Sequence, residues 1–248
     1  MLLNLLRGGR HMKQLLLKIL RSPTLRYSGA FIALQELLKF YPHEDVIKNT
    51  VNFVANCKIE GDYLEFGVYR GNHFIATYKL AEKWGLDQMR FFAFDSFEGL
   101  PPVSGEDKFA PPQFKEGEFR CDQETFSKIL RTNRINMDRV SITAGWFNET
   151  LTNPKREELE LKRAAIVWID CDFYESTVPC LDFITPLVQD GTVIIFDDWF
   201  CFRGSPKYGQ QRAFREWLEV NPSIRASEFY KYGWSGNSFI LHSYDKPL

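Results

Sequence analysis

Residues 63–84 read YLEFGVYRGNHFIATYKLAEKW. Tyr63 to Phe66 is a short apolar run that stops at Gly67 and reads as a strand. From Asn72 to Trp84 the apolar residues Phe74, Ile75, Tyr78, Leu80 and Ala81 fall at helical spacing. A strand that passes through a glycine turn into a helix is the opening unit of an alternating α/β fold. The alternation continues downstream. Strands are predicted over 90–94, 140–144, 165–169 and 192–196, ending at Asp95, Gly145, Asp170 and Asp197-Asp198. Between them, Asp122 can cap a helix running to about Leu130, and 155–163 is a charge-rich helical turn or two. Ser176 can cap a helix carrying Leu181, Phe183, Ile184 and Leu187, with Pro179 in its first turn. Another helix covers 210–220. Two late strands, 229–232 and 239–242, flank a turn with Gly233 and Gly236, a hairpin signal. Right-handed crossovers then give a mostly parallel sheet whose last strand is antiparallel.

Upstream of Gly61 the pattern is helical. Leu15, Leu16, Ile19 and Leu20 share one face, Phe31, Leu34, Leu37 and Leu38 another. Glu44 and Asp45 suit the start of a third helix with Val46, Ile47, Val51, Phe53 and Val54. The chain therefore divides into a helical N-terminal extension, 1–60, and an α/β domain, 61–248. The extension is expected to pack on the core or on a partner subunit, so a homo-oligomer is expected. The rarer alternative is a basic amphipathic helix over 1–21 lying on a membrane surface.

Composition narrows the function. The 248 residues are 44% hydrophobic and 25% charged, which excludes widespread disorder. Lys and Arg number 31 against 32 Asp and Glu, so the basic excess of a nucleic-acid binder is missing. Five Cys at irregular spacing, with no CxxC pair, imply neither a zinc ribbon nor a disulfide framework. A reducing, cytoplasmic setting is expected, because no apolar run is long enough to span a bilayer and MLLNLLRGGR lacks signal-peptide order.

In an open parallel sheet, ligands bind beyond the carboxyl ends of the strands. Acidic residues stand at several of those ends and repel one another, so a divalent cation, a sulfonium ligand or both are expected to compensate. Gly67 and Gly71 frame a turn on which backbone can approach a ligand. Glu65 precedes it, where a carboxylate can hold an amino group, and Asp95 can accept ribose hydroxyls. Asp170, Asp197 and Asp198 can meet one hard ion such as Mg²⁺, with Asp172 as the near alternative. The Pro-, Gly- and charge-rich loop 99–119 is a candidate lid. His11, His43, His73 and His242 do not cluster in sequence, and only His73, beside the glycine turn, is a candidate for ligand contact. Trp168 and Trp217 read as core, and Trp199 could wall an acceptor pocket.

Five segments in order, LEFGVYRG at Leu64, FDSFEGLP at Phe94, AGWFNETL at Ala144, IDCDFYEST at Ile169 and IIFDDW at Ile194, resemble the macrocin O-methyltransferase family of class I S-adenosylmethionine-dependent methyltransferases. The resemblance implies a Rossmann-like, seven-stranded sheet with an antiparallel last strand, a methyl-donor site and a Mg²⁺ site. By similarity Glu65, Gly67 and Gly71 line the methionine part of the donor, Asp95 holds the ribose with Ser96 and Phe97 nearby, and Gly145 and Trp146 flank the adenine. Asp170, Asp197 and Asp198 bind the metal, and Asp170 is the expected base. Tyr69 stands where many methyltransferases carry Gly, so this donor loop must approach its ligand differently. The implied acceptor is a hydroxyl of a sugar or glycosylated natural product. Two rival readings exist. Asp170-Cys171-Asp172 also matches the DxD metal motif of nucleotide-sugar glycosyltransferases, and a methyltransferase fold can serve as a non-catalytic binding protein.

Overall fold

A computed structural model of the chain describes residues 43–243. The elements are α1 (Glu44–Asn56), β1 (Asp62–Phe66), α2 (Asn72–Lys83), β2 (Phe91–Asp95), α3 (Gln123–Thr132), β3 (Val140–Ala144), α4 (Phe147–Thr150), α5 (Asn153–Glu158), β4 (Ala164–Ile169), α6 (Tyr174–Ile184), β5 (Val193–Phe196), α7 (Gly209–Val220), β6 (Ile224–Tyr232) and β7 (Gly236–Ser243). The helices expected within 13–40, and the surface helix considered for 1–21, lie outside the described residues. Of the expected extension, α1 is described, and it packs against α2, β4 and β6.

One seven-stranded sheet runs in the order β3-β2-β1-β4-β5-β7-β6. The first five strands are mutually parallel, and β7 is antiparallel to both β5 and β6. This is the expected Rossmann-like α/β class. The order reverses between β1 and β4, which makes their carboxyl ends the switch point where such folds bind ligands.

Strand alternation sorts β1 into two environments. Leu64 and Phe66 point into an apolar layer with Val167, Ile169, Ile194 and Phe196, covered by Leu181, Phe183 and Ile184 of α6 and Phe214 and Trp217 of α7. Tyr63 and Glu65 point the other way, Tyr63 meeting Phe74 of α2 edge to face at 5.7 Å. Trp168, opposite Glu65 in register, is fully buried and belongs to the core as expected, and so does Trp217. Trp199 packs on Phe196, Phe214 and Phe239.

Asp122 caps α3 as expected, accepting from the Thr125 N–H at 2.8 Å. The Ser176 cap is a correction. Helix α6 begins at Tyr174, and its first amides are capped from outside: Asp107 accepts from the Tyr174 N–H at 2.8 Å and the Glu175 N–H at 3.0 Å. Asp107 sits in a short 3₁₀ turn, Gly105–Asp107, of the long loop expected to form a lid. Glu106 of the same turn pairs with Arg212 of α7. The loop is therefore pinned at its middle to two helices. All five cysteines are free thiols.

Candidate functional site

Backbone hydrogen bonds continue across the sheet just past the strand ends. Gly67 donates to Phe94 at 2.9 Å, Asp170 to Phe66 at 2.8 Å, Asp197 to Ile169 at 3.1 Å and Gly145 to Asp95 at 2.9 Å. This lacing brings the expected donor-site and metal-site segments into one row.

The turn after β1 is built by steric demands of the chain itself. A Cβ at Gly67, whose φ is +86°, would lie 1.9 Å from the Asp170 carbonyl oxygen. Gly71, at φ +75°, would meet the Phe126 ring at 2.8 Å. Both glycines are thus required where the chain crosses β4 and α3, with or without a ligand. Tyr69 takes φ +45°, a left-handed conformation that suits glycine, and its ring meets Phe119 edge-on at 6.0 Å. The departure at position 69 is therefore absorbed in the backbone.

Asp95 holds that conformation. One carboxylate oxygen accepts from the Val68 and Tyr69 amides at 2.8 and 3.2 Å, and the other from the Phe97 amide at 2.7 Å. Three of its roughly four acceptor sites are thus occupied by backbone N–H groups. Burial still lifts the Asp95 carboxyl above the usual range, against the pull of these bonds. Ser96 closes a turn, accepting from the Glu98 amide at 3.1 Å and donating to the Gly99 carbonyl at 3.2 Å. Gly145 takes φ +132° with the Thr150 side chain beneath it, and Trp146 is the half-buried N-cap residue of α4.

Glu65 is buried, and the Tyr63 hydroxyl donates to its carboxylate. Burial pushes its carboxyl well above the ordinary value, and the negative charges of Asp170, Asp95 and Asp197 push it further. Asp198 is buried and likewise raised, first by burial and then by Asp197 and Asp170. Its Oδ1 accepts from the Cys201 thiol at 3.3 Å, while its buried Oδ2 has no hydrogen-bond partner among the described residues. Asp172, at φ +61°, is raised by burial and by the charges of Asp198 and Asp170. A row of carboxylates in which burial and neighbouring negative charges raise Glu65, Asp172 and Asp198, one of them with an orphaned oxygen, is a donor set suited to a cation.

Of the expected metal residues, Asp197 also has imidazoles beside it. Among the described residues, the three metal-capable side chains whose ligand atoms all lie within 4.8 Å of one another are His43, His73 and Asp197. His73 Nδ1 lies 3.3 Å from Asp170 Oδ2, and His43 Nε2 lies 3.6 Å from Asp197 Oδ1. The Tyr232 hydroxyl donates toward Asp197 Oδ1 at 3.0 Å. Sequence reasoning missed His43 and Tyr232. They lie far from the motif segments, on the helix that precedes the sheet and on its edge strand, and only the fold brings them together.

A family model described as macrocin-O-methyltransferase (TylF) matches residues 44–227. The 8-demethyl-8-(2,3-dimethoxy-alpha-L-rhamnosyl)-tetracenomycin-C 4'-O-methyltransferase of Streptomyces olivaceus is 28% identical over 159 residues, covering 62% of this chain and 59% of that protein. The demethyldecarbamoylnovobiocin O-methyltransferase of Streptomyces niveus is 28% identical over 158 residues, 62% of this chain and 58% of that protein. The chain thus spans less than two thirds of the length of these relatives. Among solved structures, the O-methyltransferase NovP superposes with a TM-score of 0.65 at 22% identity, over 79% of this chain and 78% of that one, a likeness of fold. These matches do not favour the glycosyltransferase or the non-catalytic reading. No described helix is long and apolar enough to cross a membrane.

Proposed function

The chain belongs to the macrocin O-methyltransferase family, and from that premise we propose that it moves the methyl group of S-adenosylmethionine to a hydroxyl of a sugar or glycosylated natural product. The observation that carries the reading is the row of carboxylates at the carboxyl ends of β1, β2, β4 and β5, astride the switch point. The relative from Streptomyces olivaceus, named for action on a rhamnosyl compound, supports the acceptor class.

Glu65 is a carboxylate on the β1 side of the switch point, raised first by its burial and then by its carboxylate neighbours, and a cationic amino group of the donor would relieve it. The loop of Gly67, Tyr69 and Gly71 would carry the methionine part. Asp95 keeps one acceptor site for a ribose hydroxyl while its other bonds hold the loop in shape, with Ser96 tightening the next turn. Gly145 and Trp146 would flank the adenine. Bound here, S-adenosylmethionine supplies an electrophilic methyl on a sulfonium, and a divalent cation supplies Lewis acidity that eases deprotonation of a weakly acidic hydroxyl. Asp170, Asp197 and Asp198 are the oxygen donors proposed for that cation, Mg²⁺ being the ion an oxygen set takes. Asp170, its side chain 26% exposed, is the base proposed to take the hydroxyl proton. Aligning acceptor oxygen, methyl and sulfur is the protein's remaining task, and such orientation can supply roughly 7–11 kcal/mol.

The test is transfer of labelled methyl from S-adenosylmethionine to a panel of glycosylated acceptors, with Mg²⁺ or with chelator. Label in a sugar methyl ether is expected. Label in no hydroxylated acceptor, or only at a nitrogen or carbon, contradicts the reading.

A further inference from the structure

We infer that Trp234, at the tip of the β6–β7 hairpin, is the platform on which the acceptor sugar stacks, and so a specificity-determining residue of the proposed transfer. A single exposed apolar residue is ordinary on a protein surface, but Trp234 differs in where it stands. Among the described residues, five large apolar side chains are exposed: Trp84, Val103, Phe109, Val220 and Trp234. Trp84 and Val220 close α2 and α7, at the amino ends of the strands and away from the switch point. Val103 and Phe109 belong to the pinned loop, where Phe109 leans on Tyr208 at 5.5 Å. Trp234 is 65% exposed, and its indole makes no ring contact or hydrogen bond among the described residues.

Strand β7 is antiparallel to β5, so the hairpin tip returns to the carboxyl end of β5, where Asp197 and Asp198 stand. Phe196 of β5 pairs with Asn237, and Tyr232 pairs with Gly236 across the turn. The Tyr232 hydroxyl reaches Asp197 Oδ1 at 3.0 Å. A Cβ at Gly233 would lie 3.2 Å from the His43 ring, whose Nε2 is 3.6 Å from Asp197 Oδ1. Trp234 is the next residue, one Cα step of about 3.8 Å from Gly233. The turn itself is held in place. The Phe200 N–H, two residues after Asp198, donates to the Ser235 carbonyl at 2.8 Å. Gly233 supplies a left-handed φ of +58°. The Tyr232 ring lies across Gly236, where a Cβ would fall 2.2 Å from it. An indole on a fixed turn offers ring area at little ordering cost on binding.

The chemistry of an exposed indole beside carboxylates selects a sugar. A pyranose carries C–H groups on its faces and hydroxyls around its rim. The negative face of an aromatic ring attracts the C–H groups, and the rim keeps its hydrogen-bond partners. One rim hydroxyl is then free to reach the carboxylate row. The inference rests on the proposed function for what happens to that hydroxyl, and stacking is measurable without methyl transfer.

The test uses the full chain, with p-nitrophenyl glycosides of the common hexoses and deoxyhexoses as probes and p-nitrophenol as the control for the aglycone. Equilibrium dialysis, with and without S-adenosylhomocysteine, should find at least one glycoside that binds. Its affinity should fall at least ~10-fold in Trp234→Ala and largely return in Trp234→Phe. S-adenosylhomocysteine affinity and sedimenting mass should be the same in all samples. In turnover of that glycoside, KM should rise in Trp234→Ala by more than kcat falls. Hydroxyl-radical footprinting of the parent should show Trp234 protected by the glycoside and not by p-nitrophenol, which decides the matter even if a variant fails to fold. No glycoside bound, equal affinity in Trp234→Ala, a loss confined to kcat, or protection by p-nitrophenol would overturn the inference. So would a smaller sedimenting mass in Trp234→Ala, which would make the indole a contact between copies of the chain. S-adenosylhomocysteine separates the two readings. Binding of that ligand, with glycoside affinity indifferent to Trp234, defeats the platform and spares methyl transfer. Glycoside affinity that depends on Trp234, with no binding of that ligand, does the reverse.

Discussion

The Tyr63 hydroxyl donates to the Glu65 carboxylate on the buried face of β1, so one strand sets both a negative charge and its nearest hydrogen-bond donor beneath the switch point. A single hydrogen bond does not offset the burial of a charge, and the Glu65 carboxyl is accordingly raised well above 4.5. A carboxyl raised in the folded state binds its proton more tightly there than in the unfolded chain. Stability is then full below the unfolded value and declines as pH rises from about 4.5 toward the folded value. Glu65→Gln is therefore expected to stabilise the ligand-free protein at pH 7–8 by on the order of 1–3 kcal/mol. The gain should vanish below about pH 4, and the same substitution should weaken donor binding. Melting curves across pH, with S-adenosylhomocysteine titration, check both. A variant less stable than the parent at pH 8 would contradict the account.

Asp107 ties the long loop to α6. Asp107→Ala removes two bonds from the first amides of that helix, and a lost cap of this kind costs about 1–2 kcal/mol. Urea denaturation should show that loss, and limited proteolysis should cut faster within 99–119. Unchanged cleavage would mean that Asp107 does not anchor the loop.

Gly67 and Gly117 have positive φ in common but differ in surroundings. A Cβ at Gly117 meets nothing within 4 Å, whereas one at Gly67 collides with the Asp170 carbonyl. Gly117→Ala is expected to cost about 1–2 kcal/mol, the left-handed penalty alone. Gly67→Ala should cost several kcal/mol more or prevent folding, because backbone must move. Similar melting temperatures for the two variants would refute the crossing argument.

Asp170→Asn keeps the shape of the side chain and removes its basicity. Methyl transfer should fall about 10²–10⁴-fold, while S-adenosylhomocysteine affinity is unchanged. A variant with near-normal turnover would move the role of base elsewhere, Asp172 being the next carboxylate along the chain.

Much of this was legible in the sequence, for physical reasons. The core strands β2, β4 and β5 are apolar up to their ends, β1 is apolar at Tyr63, Leu64 and Phe66, and each ends at a turn or an acidic residue, so their order and polarity could be read. Strand β6 could be read only in its second half. It is an edge strand with alternating exposure and a bulge between Glu228 and Tyr230, so Ile224 to Glu228 carry no clean period. The start of α6 was illegible because its cap comes from Asp107, far upstream in the loop. Gly67, Gly71 and Gly145 look like ligand-facing glycines in sequence, yet each meets the chain's own atoms. His43, His73, Asp197 and Tyr232 come from four separate elements, and their meeting depends on α1 packing beside α2, β4 and β6.

The most direct test of the proposed function is calorimetric titration of the full chain with S-adenosylhomocysteine. One molecule bound per chain, with affinity lowered by Glu65→Gln, is the predicted result. No measurable binding, with metal or without, would contradict the methyltransferase account.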